Sequence, residues 1–180
     1  MTTDLEQPTI RRAGAADAPV LAELARRTFT DAFGADSDAH DLALHVARSY
    51  GVAQQAAEII HPGITTLLAE VGGRPAAYTQ IRRGPPPSCV PDDTDAVEIA
   101  RFYVDRAWHG RGIAQRLMGA ALARAREMGA RAVWLMVYEH NHRAMAFYLK
   151  EGFREVGRHG FLFGNTLELD RVLVRTLDLE

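Results

Sequence analysis

Apolar positions change their period repeatedly along the chain, and each change marks an element. Residues 9–12 read as a short strand. Beyond Asp17, a plausible N-cap, Val20, Leu21, Leu24 and Phe29 recur at helical spacing. Asp38 opens a second helix carrying Leu42, Leu44, His45 and Val46. Gly51 interrupts it, and a third helical piece with Ile59 and Ile60 stops before Pro62. Residues 65–71 and 76–82 are strand-like, with Gly72 and Gly73 between them as a hairpin turn. The prolines of residues 84–91 cannot join a ladder, so that stretch is a loop.

The second half is more regular. Residues 97–104 form the next strand. Residues 112–128 read as an amphipathic helix with Ile113, Leu117, Ala121, Leu122 and Ala125 on one face, closed by Gly129. The nearly continuous apolar run 132–137 suits a strand buried on both faces. A helix over 142–151 stops at Gly152, and two strands, 153–163 and 167–174, are joined near Gly164 and Asn165. Strand, helix and strand across 97–137 form a parallel crossover, while the hairpins on either side impose antiparallel pairing. The expected fold is an α/β (α+β) domain with a mixed, mostly antiparallel twisted sheet of about seven strands, a central parallel βαβ unit and flanking helices.

Length, composition and charge narrow this picture. The 180 residues suit one domain over residues 9–178, with residues 1–8 frayed, and 47% apolar content supplies a core. A formal charge of -2 recruits neither nucleic acid nor an anionic membrane. The single cysteine, Cys89, cannot form an internal disulfide and fits a cytoplasmic setting. The polar, acidic N-terminus does not read as a signal peptide, and no apolar run is long enough to span a bilayer.

Two segments carry chemistry. After the strand at 97–104 comes Asp105-Arg-Ala-Trp-His-Gly-Arg-Gly-Ile-Ala114. A helix that opens there leaves backbone N–H groups without intrahelical partners, and the positive end of its dipole stands behind them. Gly110 and Gly112 let an anion approach the backbone, so the turn suits a pyrophosphate, with Arg111 and Arg116 as further contacts. It lacks the Lys-Ser/Thr of a P-loop, and Gln115 breaks the dinucleotide fingerprint. A tight connection without a ligand is the bland reading. Further on, Asn141, Ala144 and Tyr148 follow an i, i+3, i+7 spacing on one helix face, before Gly152 and Phe153. Taken singly, Asn141 reads as an N-cap and Tyr148 as core.

Together the segments resemble the GNAT N-acetyltransferases. His109, Gly112 and Ala114 fall on that family's Q/R-x-x-G-x-G/A pattern, with histidine as a departure, and Asn141, Ala144, Tyr148, Gly152 and Phe153 match its second hallmark. The resemblance implies a gap between the strands 97–104 and 132–137 that admits the pantetheine arm of acetyl-CoA beside Phe102, Tyr103 and Val104. It places the pyrophosphate on His109, Gly110, Arg111, Gly112, Ile113 and Ala114, and it places Asn141, Arg143 and Ala144 along the arm. An amine then attacks the acetyl group directly. Tyr148 is implied as the acid that protonates the leaving thiolate, and Glu98 as the base, against the bland reading of Glu98 as a hairpin ion pair.

The closing segment, residues 152–174, resembles a bacterial branch that includes polyamine acetyltransferases, so a polyamine or other small amine is the first expected acceptor. Asp31, Asp36, Asp38, Asp41, Asp92, Asp93 and Asp95 would draw cations if their segments border the acceptor cleft. A protein N-terminus is a second acceptor class, and a non-catalytic CoA-binding sensor or interaction module is the rival function. Having both Glu98 and Tyr148 favours the enzyme. A homodimer is compatible with the sequence. His140 and His142 lack metal-site spacing, so no metal is expected, and Cys89 lacks an activating motif.

Overall fold

The structure, a computed structural model, describes residues 7–35, 37–91, 95–163 and 166–178. Residues 1–6, Asp36, Asp92, Asp93 and the joint at Gly164 and Asn165 therefore lie outside the described residues. The elements run β1 Thr9–Arg12, α1 Ala18–Phe33, α2 Ala39–Ser49, α3 Val52–Ile60, β2 Ile64–Val71, β3 Arg74–Arg82, β4 Ala96–Val104, α4 Ile113–Glu127, β5 Ala132–Val137, α5 His142–Lys150, β6 Arg154–Phe163 and β7 Thr166–Thr176. Their order is the one the hydrophobic pattern predicts. Among the described residues two short 3-10 turns, Ala15–Asp17 and Arg106–Trp108, are additions that periodicity cannot reveal in three residues.

Two local expectations change. Asp17 occupies the N-cap position of α1 but makes no side-chain cap. Its carboxylate instead accepts from both terminal nitrogens of Arg11 at 2.8 Å and from the Gly14 amide at 2.7 Å. Arg11 also reaches Glu70, so this one guanidinium ties β1 to β2 and to the start of α1. Val20 is 44% exposed, because the buried stripe of α1 runs through Leu21, Ala22, Leu24, Ala25 and Phe29. Asp38 caps α2 as expected, accepting from the His40 and Asp41 amides. Gly72 and Gly73 both have positive φ (57° and 71°), the conformation a two-residue hairpin of native twist demands.

The seven strands form one sheet in the order β1-β2-β3-β4-β5-β7-β6. Every pairing is antiparallel except β4–β5. One face packs on α4 and α5 through a cluster that includes Ile81, Val97, Leu117, Met118, Leu135 and Leu173. The other face carries α1, α2 and α3 over Leu68 and Tyr78, and the proline-rich loop over Trp134, Val172 and Val174.

The feature that positions the site is a seam. Strands β4 and β5 pair only at Ala96–Ala132, Val97–Val133 and Glu98–Trp134, and then part. Strand β4 is bent as it leaves. Gln80 pairs with Arg101 but Ile81 with Ile99, so Ala100 is an extra residue, and a bulge of this kind re-aims a strand.

Candidate active site

A cleft of about 750 Å³ runs through the seam, lined from one side by α4, α5 and the turn before α4, and from the other by α1, β6 and β7. Its first half is built on the segment after β4. Asp105 caps the 3-10 turn by accepting from the Ala107 amide at 2.9 Å, and it also accepts from Arg27 of α1 at 3.0 and 2.5 Å. Burial alone would raise this carboxyl's pKa, but the Ala107 amide and Arg27 outweigh it and hold the group below the usual range.

Gly110 and Gly112 both have φ of 75°, the left-handed region where side chains are strained. A Cβ at either would meet no protein atom within 4 Å. The backbone conformation, not crowding inside the protein, therefore calls for glycine, and the space beside it is open. The first backward bond of α4 runs from the Arg116 amide to the Gly112 carbonyl at 3.3 Å. The amides of residues 113–115 thus precede the helical ladder, with the dipole of a four-turn helix behind them.

His109, the departure from the family pattern, has two partners. Its Nε2 lies 2.9 Å from the Val104 carbonyl and its Nδ1 lies 2.5 Å from a terminal nitrogen of Arg143. The carbonyl can only accept and the guanidinium can only donate, so Nε2 carries the proton and Nδ1 is bare. The imidazole links the end of β4 to α5 and holds Arg143 beside the glycine turn. The Arg111 guanidinium lies over the Trp108 ring at 5.0 Å from its centroid. Arg116 is exposed and is not part of the cleft lining.

Helix α5 presents Asn141, Ala144 and Tyr148 to the cleft, as the i, i+3, i+7 spacing requires. Asn141 is the N-cap, its Oδ1 accepting from the Ala144 amide at 3.1 Å. Gly152, at φ 84°, turns the chain out of the helix, and Phe153 donates its amide to the Tyr148 carbonyl at 3.0 Å. The Tyr148 ring is packed by Phe102, Phe147 and Phe153, with centroids 5.5 to 6.2 Å away. Burial pushes its phenol well above the ordinary value, so it stays protonated at neutral pH. Phe102 and Val104 pack toward α4 and α5. The Tyr103 ring turns to the opposite face and stacks on Tyr78 at 5.7 Å, which leaves only its main chain for the seam.

The acidic residues named from sequence separate. Asp31 lines the cleft. Asp38 caps α2, and Asp95 pairs with Arg83. Glu98 lines the cleft but is only 5% exposed. Its two oxygens accept from Arg82 across the β3–β4 ladder at 2.5 and 3.1 Å. The hairpin ion pair that the sequence left open is therefore the arrangement found. Cys89 packs on the bulged strand β6, where a Cβ at Gly157 would fall within 2.6 Å of its own Cβ. Among the described residues no three His, Cys, Asp or Glu side chains group as metal ligands, and no helix is long and apolar enough to cross a membrane.

Asp170 belongs to neither of the two motifs in the sequence. It lies on β7, lines the cleft and is 8% exposed, and its buried Oδ1 has no hydrogen-bond partner among the described residues. Desolvation, and then the charges of Glu168 and Glu139, push its pKa from the ordinary 3.8 up to about 6. A trace was present in the sequence, since Asp170 shares the inward phase of β7 with the buried Val172 and Val174.

A raised carboxyl pKa means that the folded chain holds this proton more tightly than the unfolded chain. Stability therefore falls as pH rises through the window from 3.8 to about 6 and stays lowered above it. Asp170→Asn removes that cost. The variant should gain up to about 3 kcal/mol at pH 8, at 1.36 kcal/mol per pKa unit, and nothing at pH 3.5. The other charges nearby are Glu168 on β7, Glu139 bonded to Arg158, and Arg171 bonded to Glu155, with His159 opposite Asp170 on β6. None is altered by the substitution. Denaturant melts at the two pH values check this, and equal gains at both would refute it.

Comparison with known proteins agrees with the geometry. The model of the acetyltransferase (GNAT) family matches residues 21–153. An uncharacterised N-acetyltransferase of Mycobacterium bovis is 37% identical over 161 residues, covering 89% of this chain and 98% of that protein. Another, from the pepI 3′ region of Lactobacillus delbrueckii subsp. lactis, is 29% identical over 167 residues, covering 89% and 92%. Among solved structures, the PaiA N-acetyltransferase of Thermoplasma acidophilum in complex with coenzyme A superposes with a TM-score of 0.77 at 17% identity, covering 94% of this chain and 99% of that chain. The chain belongs to the acetyltransferase (GNAT) family. It is an N-acetyltransferase, on the fold that the alternating pattern predicts.

Proposed function

We propose that residues 9–178 form one catalytic domain that transfers an acetyl group from acetyl-CoA to a primary amine. The observation that carries this reading is the seam. It opens a slot between β4 and β5 that leads to the left-handed glycines and bare amides at the start of α4. An extended arm with amide groups fits a sheet edge without a strand partner, and a pyrophosphate fits the helix start. Acetyl-CoA supplies the activated acyl group as a thioester. Gly110 and Gly112 admit the phosphates to the backbone, and Arg143, steadied by His109, adds a positive charge beside the turn.

Tyr148 fits the acid. Its neutral phenol lines the cleft on the same helix face as Asn141 and Ala144, where it can give a proton to the departing sulfur. An ammonium acceptor loses two protons during the transfer. One reaches sulfur through Tyr148, and the other goes to a cleft carboxylate. Glu98, the base expected from sequence, takes that part only by loosening from Arg82, whereas Asp170 already has an unbonded oxygen. The acceptor half is acidic at Asp31 and Asp170, which supports a cationic acceptor and keeps polyamines as the first choice.

Release of the CoA thiol, measured with acetyl-CoA and a panel of amines, tests the reading. Turnover is expected with spermidine, spermine or simple alkylamines. Turnover only with peptide N-termini would move the acceptor class. Failure to bind CoA by calorimetry would overturn the assignment itself.

A further inference from the structure

Asp170 raises a question of its own, because a carboxylate this deep is normally bonded. The position is well defined in the ladder. Val137 pairs with Arg171, so Tyr138 follows beside Asp170 from β5. Phe161 pairs with Glu168, so it flanks Asp170 from β6. Phe33 closes the recess from α1, its ring 5.8 Å from Tyr138 and edge-on to it. All four residues line the cleft.

We propose that Asp170 is the counter-ion that receives the acceptor's alkylammonium, in a recess walled by Phe33, Tyr138 and Phe161. This deepens the acetyl-transfer reading and rests on it for the identity of the guest as acceptor. The chemistry of the recess narrows that guest. Glu168 and Glu139 add negative charge around Asp170 and disfavour an anion, and the titratable His159 stands opposite it on β6. A divalent metal needs more oxygen or nitrogen ligands than one carboxylate, and no such group occurs among the described residues. A neutral hydroxyl offers the carboxylate a single donor. An ammonium offers three and a full charge, and its alkyl chain and charge both suit aromatic faces. An exposed carboxylate such as Asp31 would bind such a guest weakly through screening water, whereas a buried one gains from the low local dielectric.

Binding to the purified protein tests this without requiring turnover. Calorimetry with n-butylammonium, spermidine and the neutral isostere n-butanol, each with and without saturating CoA, gives the preference for charge. The wild type should bind the ammonium ions at least tenfold more tightly than the alcohol, and Asp170→Asn should reduce that preference below threefold while CoA affinity is kept. A wild type without the preference overturns the proposal on its own, whatever the folding of the variant. A preference that persists in a folded Asp170→Asn also overturns it. Should the wild type fail to bind CoA, the acetyl-transfer reading falls, while the ammonium affinities still decide the role of Asp170.

Discussion

Tyr148→Phe is expected to lower kcat by about two orders of magnitude, the scale of a lost general acid. The substitution removes one hydroxyl and keeps the ring that Phe102, Phe147 and Phe153 pack against. Acetyl-CoA affinity and the melting temperature should therefore change little. The departing thiolate would then have to find its proton in water. The packing and acid roles of Tyr148 thus separate in a single variant. Steady-state kinetics beside a thermal melt make the comparison, and a fallen melting temperature with kcat intact would assign the residue to the core alone.

Gly112→Val should weaken CoA binding at least tenfold, which is about 1.4 kcal/mol. Two causes act together. A branched side chain at φ 75° is strained, by roughly 1–2 kcal/mol for a left-handed residue. Its methyl groups would also project into the open space beside the first amides of α4, where the proposed site brings a phosphate close. Gly129→Val provides the control, because Gly129 has a φ of 77° and open surroundings at the other end of the same helix. It should lose comparable stability and keep its CoA affinity. Equal affinities in folded Gly112→Val and wild type would remove the phosphates from this turn.

How much of this was legible in the sequence follows from the range of each interaction. Periodicity located the strands and helices because a sheet buried on both faces and amphipathic helices repeat at fixed local spacing. Leu117, Ala121 and Ala125 show it on α4, and residues 132–137 on β5. The glycine turn and the face of Asn141, Ala144 and Tyr148 were legible for the same reason, since each is set within a few residues. What escaped depends on partners far along the chain. Glu98 could be a base or half of an ion pair until Arg82, 16 residues away, was placed opposite it. Asp17 looked like a cap until Arg11 claimed it. The partner of His109 is 34 residues away on α5. Asp170 stands out by an Oδ1 with no hydrogen-bond partner among the described residues, which no stretch of sequence can display.

The seam has a consequence for how the protein keeps company with its own copies. A strand edge without a partner is ordinarily an aggregation hazard, since it offers a template to any extended chain, and proteins blunt such edges with charge, proline or short length. Here the unfilled edge of β4 lies in the middle of the sheet, not at its rim. It is overhung by Phe147 and Tyr148 of α5 on one face and by Phe29 and Phe33 of α1 on the other. A second polypeptide would have to bring side chains, alternating above and below its backbone, into those aromatic layers. An arm with two amides and no side chains would bring none. The fold thereby keeps its unpartnered edge at the centre of the sheet, between two aromatic layers.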